Sequence, residues 1–194
     1  MVEVNDMRIL GIVCSPRKEG NTEIMVEEAL KTARDEGAET DIFLVAGKTI
    51  SGCLACYTCR ETGKCKIDDD MQVLYEKMER ADAIIFASPV YFHSCTAQAK
   101  AIIDRTFCYL RDHPLQGKVA APLLALRKVG GGQTRVQLYG WFLSQGMVPV
   151  RGGIGYGREK GDVLTGEGAN IGMTAMEEAR ATAREVIAMV NQLS

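Results

Sequence analysis

Nearly uninterrupted apolar runs of strand length recur along this chain, and each is followed by a stretch with helical spacing. That alternation constrains the fold more than any other feature. A strand that is apolar at almost every position is buried on both faces, and strands separated by helices pair in parallel. The first run is Arg8 to Val13. A helix follows from about Thr22, with Ile24, Met25, Leu30 and Ala33 near helical spacing and Gly37 as its stop. Thr40 to Val45, Ala83 to Ala87 and Val119 to Leu126 read as strands two to four, and Met147 to Val150 as a short fifth. Further helices are expected from near Asp69 or Asp70, from Thr96 to Leu110, from the Gly130 to Gly132 loop through Gln145, and from Met173 to Leu193. Five strands with alternating helices make a doubly wound α/β fold. Its expected strand order is 2-1-3-4-5, with ligands at the switch point outside strands one and three.

The 194 residues, 46% hydrophobic and 25% charged, suit one globular domain over 1–194. A net charge of −2 gives no basic face for nucleic acid. No apolar run approaches the roughly 20 residues of a membrane span. Met1 to Asp6 lacks the pattern of a signal peptide, so a cytoplasmic, reducing location is expected. There, the seven cysteines serve metal binding or redox work more readily than disulfides.

Two loops fall at the expected switch point. After strand one come Cys14, Ser15, Pro16, Arg17, Lys18, Glu19, Gly20, Asn21 and Thr22, and then the helix. Amide groups at a helix N-terminus, with the helix dipole, attract anions. Ser15, Asn21 and Thr22 add short donors, Arg17 adds charge, and Gly20 allows a tight turn. The loop reads as a phosphate site, or as a turn in which Asn21 or Thr22 caps the helix. It is neither a Walker loop nor a GxGxxG loop, and Gly20 stands where a thiol phosphatase needs arginine. Cys14 reads as a small buried hydrophobe. Strand three ends in Ser88, Pro89, Val90, Tyr91, Phe92, His93, Ser94 and Cys95. Pro89 to Phe92 offer an apolar wall for a flat ring, or simple packing at a sheet edge. Cys95 and Cys108 fall on the next helix and read as structural.

Between strand two and the next helix, segment 47–66 follows neither period and carries Cys53, Cys56, Cys59 and Cys65 as C-x2-C-x2-C-x5-C. Four thiolates are the usual ligands of a [4Fe–4S] cluster and also suit structural zinc. The spacing is not that of a ferredoxin. Asp68 to Asp70 read as a helix cap, with Asp69 and Gln72 spaced for a capping box. Segment 151–172 is glycine-rich and irregular, too long for a simple connection, and reads as an interface, a lid or a surface loop.

Taken together, these loops resemble those of the flavodoxin-like NAD(P)H-dependent FMN reductase superfamily. Ser15-Pro16-Arg17 with Gly20-Asn21-Thr22 is similar to its phosphate loop, Ser88-Pro89-Val90-Tyr91 to its flavin-ring loop, and Gly131-Gly132-Gln133 to a third flavin-side loop. The cysteine motif after strand two resembles the iron–sulfur flavoprotein branch. The resemblance implies a flavodoxin-like fold and FMN, with its phosphate on Ser15, Arg17, Gly20, Asn21 and Thr22 and its ring near Pro89, Val90, Tyr91 and Phe92. Arg127, Val129, Gly130 and Gly131 are implied on the far side, in a loop more basic than is usual for the family. It further implies a [4Fe–4S] cluster on the four cysteines, ferredoxin or NAD(P)H as electron donor, a small-molecule acceptor and a homodimer or homotetramer. The expected role is electron transfer between cluster and FMN. An NAD(P)H-dependent FMN or quinone reductase without a cluster is one alternative, and a zinc-stabilised phosphoryl-ligand binding module is another. No side chain is assigned as a catalytic acid or base.

Overall fold

The computed structural model describes residues 7–165 and 173–194. Strand β1 (Arg8–Val13) leads into helix α1 (Asn21–Asp35) and strand β2 (Glu39–Leu44). A long excursion follows, containing the short helix α2 (Thr58–Thr62), before α3 (Met71–Arg80) and β3 (Ala83–Pro89). Next come α4 (Ala97–Arg105), β4 (Val119–Leu126), α5 (Gly131–Ser144), β5 (Val148–Pro149) and β6 (Gly153–Tyr156). The short α6 (Asp162–Thr165) and the long α7 (Ala175–Leu193) complete the described elements.

The strands pair in parallel in the order β2-β1-β3-β4-β5, with β6 also on β4. This is the doubly wound, flavodoxin-like sheet expected from the sequence. Val13 stands opposite both Leu44 and Ala87, so the carboxyl ends of β1 and β2 are level and β3 runs two residues past them, to Pro89. Alternate residues of each strand feed two cores, as the strand period requires. Ile9 and Val13 pack with α1 and α7, against Met25, Val26, Val186 and Ile187. Leu10 and Ile12 pack on the other face with Leu74, Met78, Ile102 and Trp141. At Gly11 a Cβ would stand 2.6 Å from Val26, so α1 lies closer to β1 than any side chain there would permit.

Four expectations need correction. Segment 151–172 is not irregular throughout: β6 and α6 form within it, and 166–172 lie outside the described residues. The fifth strand is split. Ala120 pairs with Pro149 and Leu123 with Gly153, so the edge strand spends one more residue than β4 between these pairs. The extra residue makes a bulge opposite Pro122, which has no N–H for the ladder. Gly152 permits it with φ +63, where a Cβ would lie 2.0 Å from the Pro122 carbonyl oxygen. Without side chains at glycines 152, 153 and 155, no apolar run marked this strand in the sequence.

The expected helix from Thr96 to Leu110 ends as α-helix at Arg105 and continues as a 3-10 turn, Thr106–Leu110. Here Thr106 Oγ1 donates to the Ile103 carbonyl at 2.7 Å and accepts the Trp141 indole N–H at 2.9 Å. The capping box on α3 does not form. Gln72 instead donates to the carbonyls of Cys65 and Ile67, at 3.0 and 2.6 Å.

Candidate functional site

At the carboxyl ends of β1, β3 and β4 lies a cleft of about 320 Å³. That is at the small end of the roughly 300–1,000 Å³ usual for ligand sites. Ser15, Arg17, Gly20, Asn21 and Thr22 form one wall, Pro89, Val90 and Tyr91 another, and Ala125 to Arg127 the far side. The segment Gly157 to Lys160 closes the remaining side. A larger hollow of about 600 Å³ sits at the β2 edge against α1, away from the switch point. Position therefore favours the cleft.

The phosphate-type loop is braced from within. Ser15 Oγ accepts the Arg17 N–H at 3.1 Å and donates to the Arg17 carbonyl at 3.2 Å. Gly20, not Asn21 or Thr22, is the residue before α1, and no side chain caps this helix. Its first amides are therefore presented to the cleft, where an anion is favoured. The Asn21 carboxamide is engaged elsewhere: Nδ2 donates to the Glu159 carbonyl at 2.8 Å and Oδ1 accepts the Gly161 N–H at 2.8 Å. Lys160 pairs with Glu19 at 2.7 Å and holds that carboxyl below its ordinary range. Asp162 accepts the N–H groups of Arg158 and Glu159, which hold it low as well. These contacts draw the loop after β6 across the start of α1. Arg17, Arg127 and Arg158 line the cleft without an ion-pair partner among the described residues, so the field there is positive.

After β3 the chain makes a tight turn: Tyr91 and Ser94 exchange backbone hydrogen bonds at 2.9 and 3.0 Å. Phe92 and His93 occupy its two central positions at φ 49 and 64. Left-handed conformations are costly for such residues, and turns of this kind prefer Asn and Gly. Phe92 is fully exposed, at 101%. Ser94 and its neighbour Cys95 are fixed by Gln137 of α5, and Thr96 Oγ1 donates to the Cys14 carbonyl at 2.8 Å, which ties the two switch-point loops together.

The four loop cysteines border a second, smaller pocket with Arg105, Phe107 and Cys108 on its inner side. Ala55 and Tyr57 are left-handed, at φ 50 and 59. The Ala55 N–H donates to Cys53 Sγ at 3.4 Å. The Thr58 amide and hydroxyl hold the Cys56 thiol below its ordinary pKa. Burial pushes the Cys59 thiol up, and the neighbouring Cys65, Cys56 and Cys53 add to this, so the four sulfurs feel one another. Among the described residues, no three thiol, imidazole or carboxylate groups are gathered at the spacing of a bound metal ion. Cys108, expected to be purely structural, lies within reach of Cys65 and Cys59, and burial pushes its thiol up to about 11.

Residues 7–159 match the NADPH-dependent FMN reductase family. The chain belongs to that family. Within it, the chain falls in the iron–sulfur flavoprotein branch. It is 35% identical to an iron-sulfur flavoprotein of Methanocaldococcus jannaschii over 96% of this chain and 100% of that protein. It is 40% identical to an iron-sulfur flavoprotein of Methanosarcina thermophila over 74% of this chain and 77% of the relative. The fold is similar to that of RosB crystallised with 8-demethyl-8-formylriboflavin-5'-phosphate, with a TM-score of 0.76 at 17% identity over 96% of this chain and 80% of that one. As a family member, the protein is a flavin-dependent oxidoreductase.

The structure brings nine expected site residues to the cleft: Ser15, Arg17, Gly20, Asn21, Thr22, Pro89, Val90, Tyr91 and Arg127. Phe92, Val129, Gly130 and Gly131 do not line it. Phe92 and Val129 point to solvent. Gly130 supports the ring-side loop from behind: a Cβ there would stand 2.9 Å from His93 Cα and 3.0 Å from Val90. Gly131 packs on Ile154 of β6. Gly157, Arg158, Glu159 and Lys160 line the cleft but were not anticipated. Their one signal in the sequence is two cations within three residues after a glycine-rich stretch.

The residues present fit both groups that the family suggests. The cleft offers uncapped helix amides and cations to a phosphate, and Pro89, Val90 and Tyr91 to a ring. The second pocket offers four thiols, N–H donors to two of them, and the buried Arg105 Nε–H, which has no acceptor among the described residues.

Proposed function

We propose that this family member passes electrons between FMN in the switch-point cleft and a [4Fe–4S] cluster on Cys53, Cys56, Cys59 and Cys65. The observation that carries the reading is that one chain places an uncapped helix N-terminus and a four-thiol pocket in loops that leave the level carboxyl ends of β1 and β2. Flavins exchange one or two electrons or a hydride, whereas a cluster of this kind exchanges single electrons.

In this reading the α1 amides, Ser15, Arg17 and Thr22 bind the phosphate, and Arg127 and Arg158 add positive charge. Asn21 holds the loop from Gly157 to Gly161 over that site and so positions its far wall. Pro89, Val90 and Tyr91 seat the ring and exclude water from one side. The Ala55 and Thr58 donors stabilise thiolates, the form that binds iron. A single-electron protein such as ferredoxin is the donor, and a small molecule is the acceptor. The protein works in the reducing cytoplasm as a homodimer or homotetramer, one chain forming one domain. Among the described residues no helix is long and apolar enough to cross a membrane.

The family's own name supports a second reading, an NADPH-dependent FMN or quinone reductase whose cysteines hold no cluster. The family assignment gives no support to a zinc-stabilised binding module. Anaerobic purification, with a visible spectrum and assays of iron and acid-labile sulfide, separates these. Flavin bands with broad brown absorbance and about four irons per chain establish the first reading. Flavin bands without iron, bleached by NADPH, establish the second.

A further inference from the structure

Arg105 is among the largest fully buried side chains of the protein, yet it is a cation in the wall of the thiol pocket. Its fork is almost fully used. Nη1 donates to Asp69 Oδ2 at 2.8 Å and to the Ser51 carbonyl at 3.1 Å. Nη2 donates to Asp69 Oδ1 at 3.2 Å and to the Ile67 carbonyl at 3.3 Å. Ser51 precedes the first of the four cysteines and Ile67 follows the last. One guanidinium thus closes the neck of the loop that carries all four thiols. Asp69 completes the clasp by accepting the Ser51 N–H at 2.9 Å.

One donor is left over. Arg105 Nε is buried and has no acceptor among the described residues. A buried charged donor without a partner is costly, and such exceptions mark places where a ligand supplies the partner. Both Asp69 oxygens already face the two Nη groups, and the Tyr75 hydroxyl beside the guanidinium spends its own proton on the Arg105 carbonyl at 2.8 Å; further acceptors can come from the pocket that Arg105 lines. The thiolate sulfurs of an anionic cluster are such acceptors, and Arg105 lines the same pocket as all four cysteines.

We propose that Arg105 is a positioning residue for the four-thiol site: it closes the loop neck through Ser51, Ile67 and Asp69, and its Nε–H donates to sulfur of the cluster held there. This rests on the cluster reading above. A hydrogen bond to cluster sulfur stabilises the more negative, reduced state, so it raises the reduction potential.

The test compares anaerobically reconstituted wild-type protein with Arg105→Lys and with the charge-neutral double variant Asp69→Asn, Arg105→Met. Iron, sulfide and FMN are assayed, and the cluster midpoint potential is read by EPR-monitored titration. Expected are wild-type FMN content in both variants and either a more negative midpoint potential or loss of iron with FMN retained. The lysine variant keeps the charge beside Asp69 but lacks the Nε donor, so a clamp without the donor role would leave its potential unchanged. Equal iron and an unmoved potential in both variants overturn the proposal while leaving the proposed function standing. Loss of FMN and of cooperative unfolding in both variants also overturns it, by making Arg105 a general structural residue. A wild-type protein that takes up no iron overturns the proposed function, and the inference falls with it.

Discussion

Asn21 donates from Nδ2 to the Glu159 carbonyl oxygen at 2.8 Å, joining the first turn of α1 to the loop that follows β6. The same carboxamide accepts the Gly161 N–H. Two segments remote in sequence thereby become adjacent walls of one cleft. Asn21→Ala removes both bonds and should weaken FMN binding by about 1–2 kcal/mol, close to tenfold in Kd. Asn21→Asp keeps the acceptor for Gly161, loses the donor to Glu159 and adds a negative charge where the phosphate is proposed. Its loss should exceed that of the alanine variant. Flavin fluorescence titration of both variants checks the order, and equal affinities would place the phosphate elsewhere.

Arg17 lines the cleft, has no ion-pair partner among the described residues, and stands beside the uncapped start of α1. Its replacement by alanine should cost FMN about 1.5–3 kcal/mol by removing a charge-assisted phosphate contact. Riboflavin, which has no phosphate, should bind wild type and variant alike. A parallel loss for riboflavin would show that the effect runs through the ring.

Gly152 carries the bulge that lets the edge strand resume as β6. An added Cβ would collide with the Pro122 carbonyl, and φ +63 is unfavourable for any side chain. Gly152→Ala should destabilise the fold by about 3 kcal/mol, with β6 and the Gly157 to Lys160 wall shifted as well. Urea unfolding with and without FMN measures both effects. Unchanged stability would mean that the bulge relaxes freely.

Asp69 is buried, which by itself opposes its charge. The hydrogen bonds from Arg105, Ser51 and Met71 outweigh that and hold its carboxyl below the usual aspartate range. The unfolded chain therefore takes up the proton first as pH falls. The stabilisation is complete above the unfolded value, about 3.9, and is lost as pH falls from there through the lower folded value. Asp69→Asn should remove this part of the acid dependence and flatten the stability curve below about pH 4. Denaturant titrations between neutral and acid pH read the difference, and parallel curves would assign the acid sensitivity to other carboxyls.

Much of the architecture was legible because it rests on local patterns. β4 is apolar along its whole length, so Val119 to Leu126 is recognisable as a doubly buried strand without reference to anything else. The loop from Ser15 to Thr22 declares itself by lying between such a strand and a helical pattern. β6 gave no such signal, because its glycines are needed for close approach and carry no apolar pattern. The run of aspartates was legible only as a cap, yet Asp69 turns inward to Arg105, a residue on another helix.

By itself, the sequence determined the alternation of the first four strands with their helices, the position of the switch-point loops and the grouping of four thiols, since each follows from the spacing of neighbouring residues. Only the tertiary structure decided which residues share a wall. It set the loop after β6 against α1, moved Phe92 and Val129 out to solvent, and placed Arg105 beneath the cysteine loop. Such choices depend on contacts between segments far apart in the chain, where packing and the pairing of buried charges prevail over local preference.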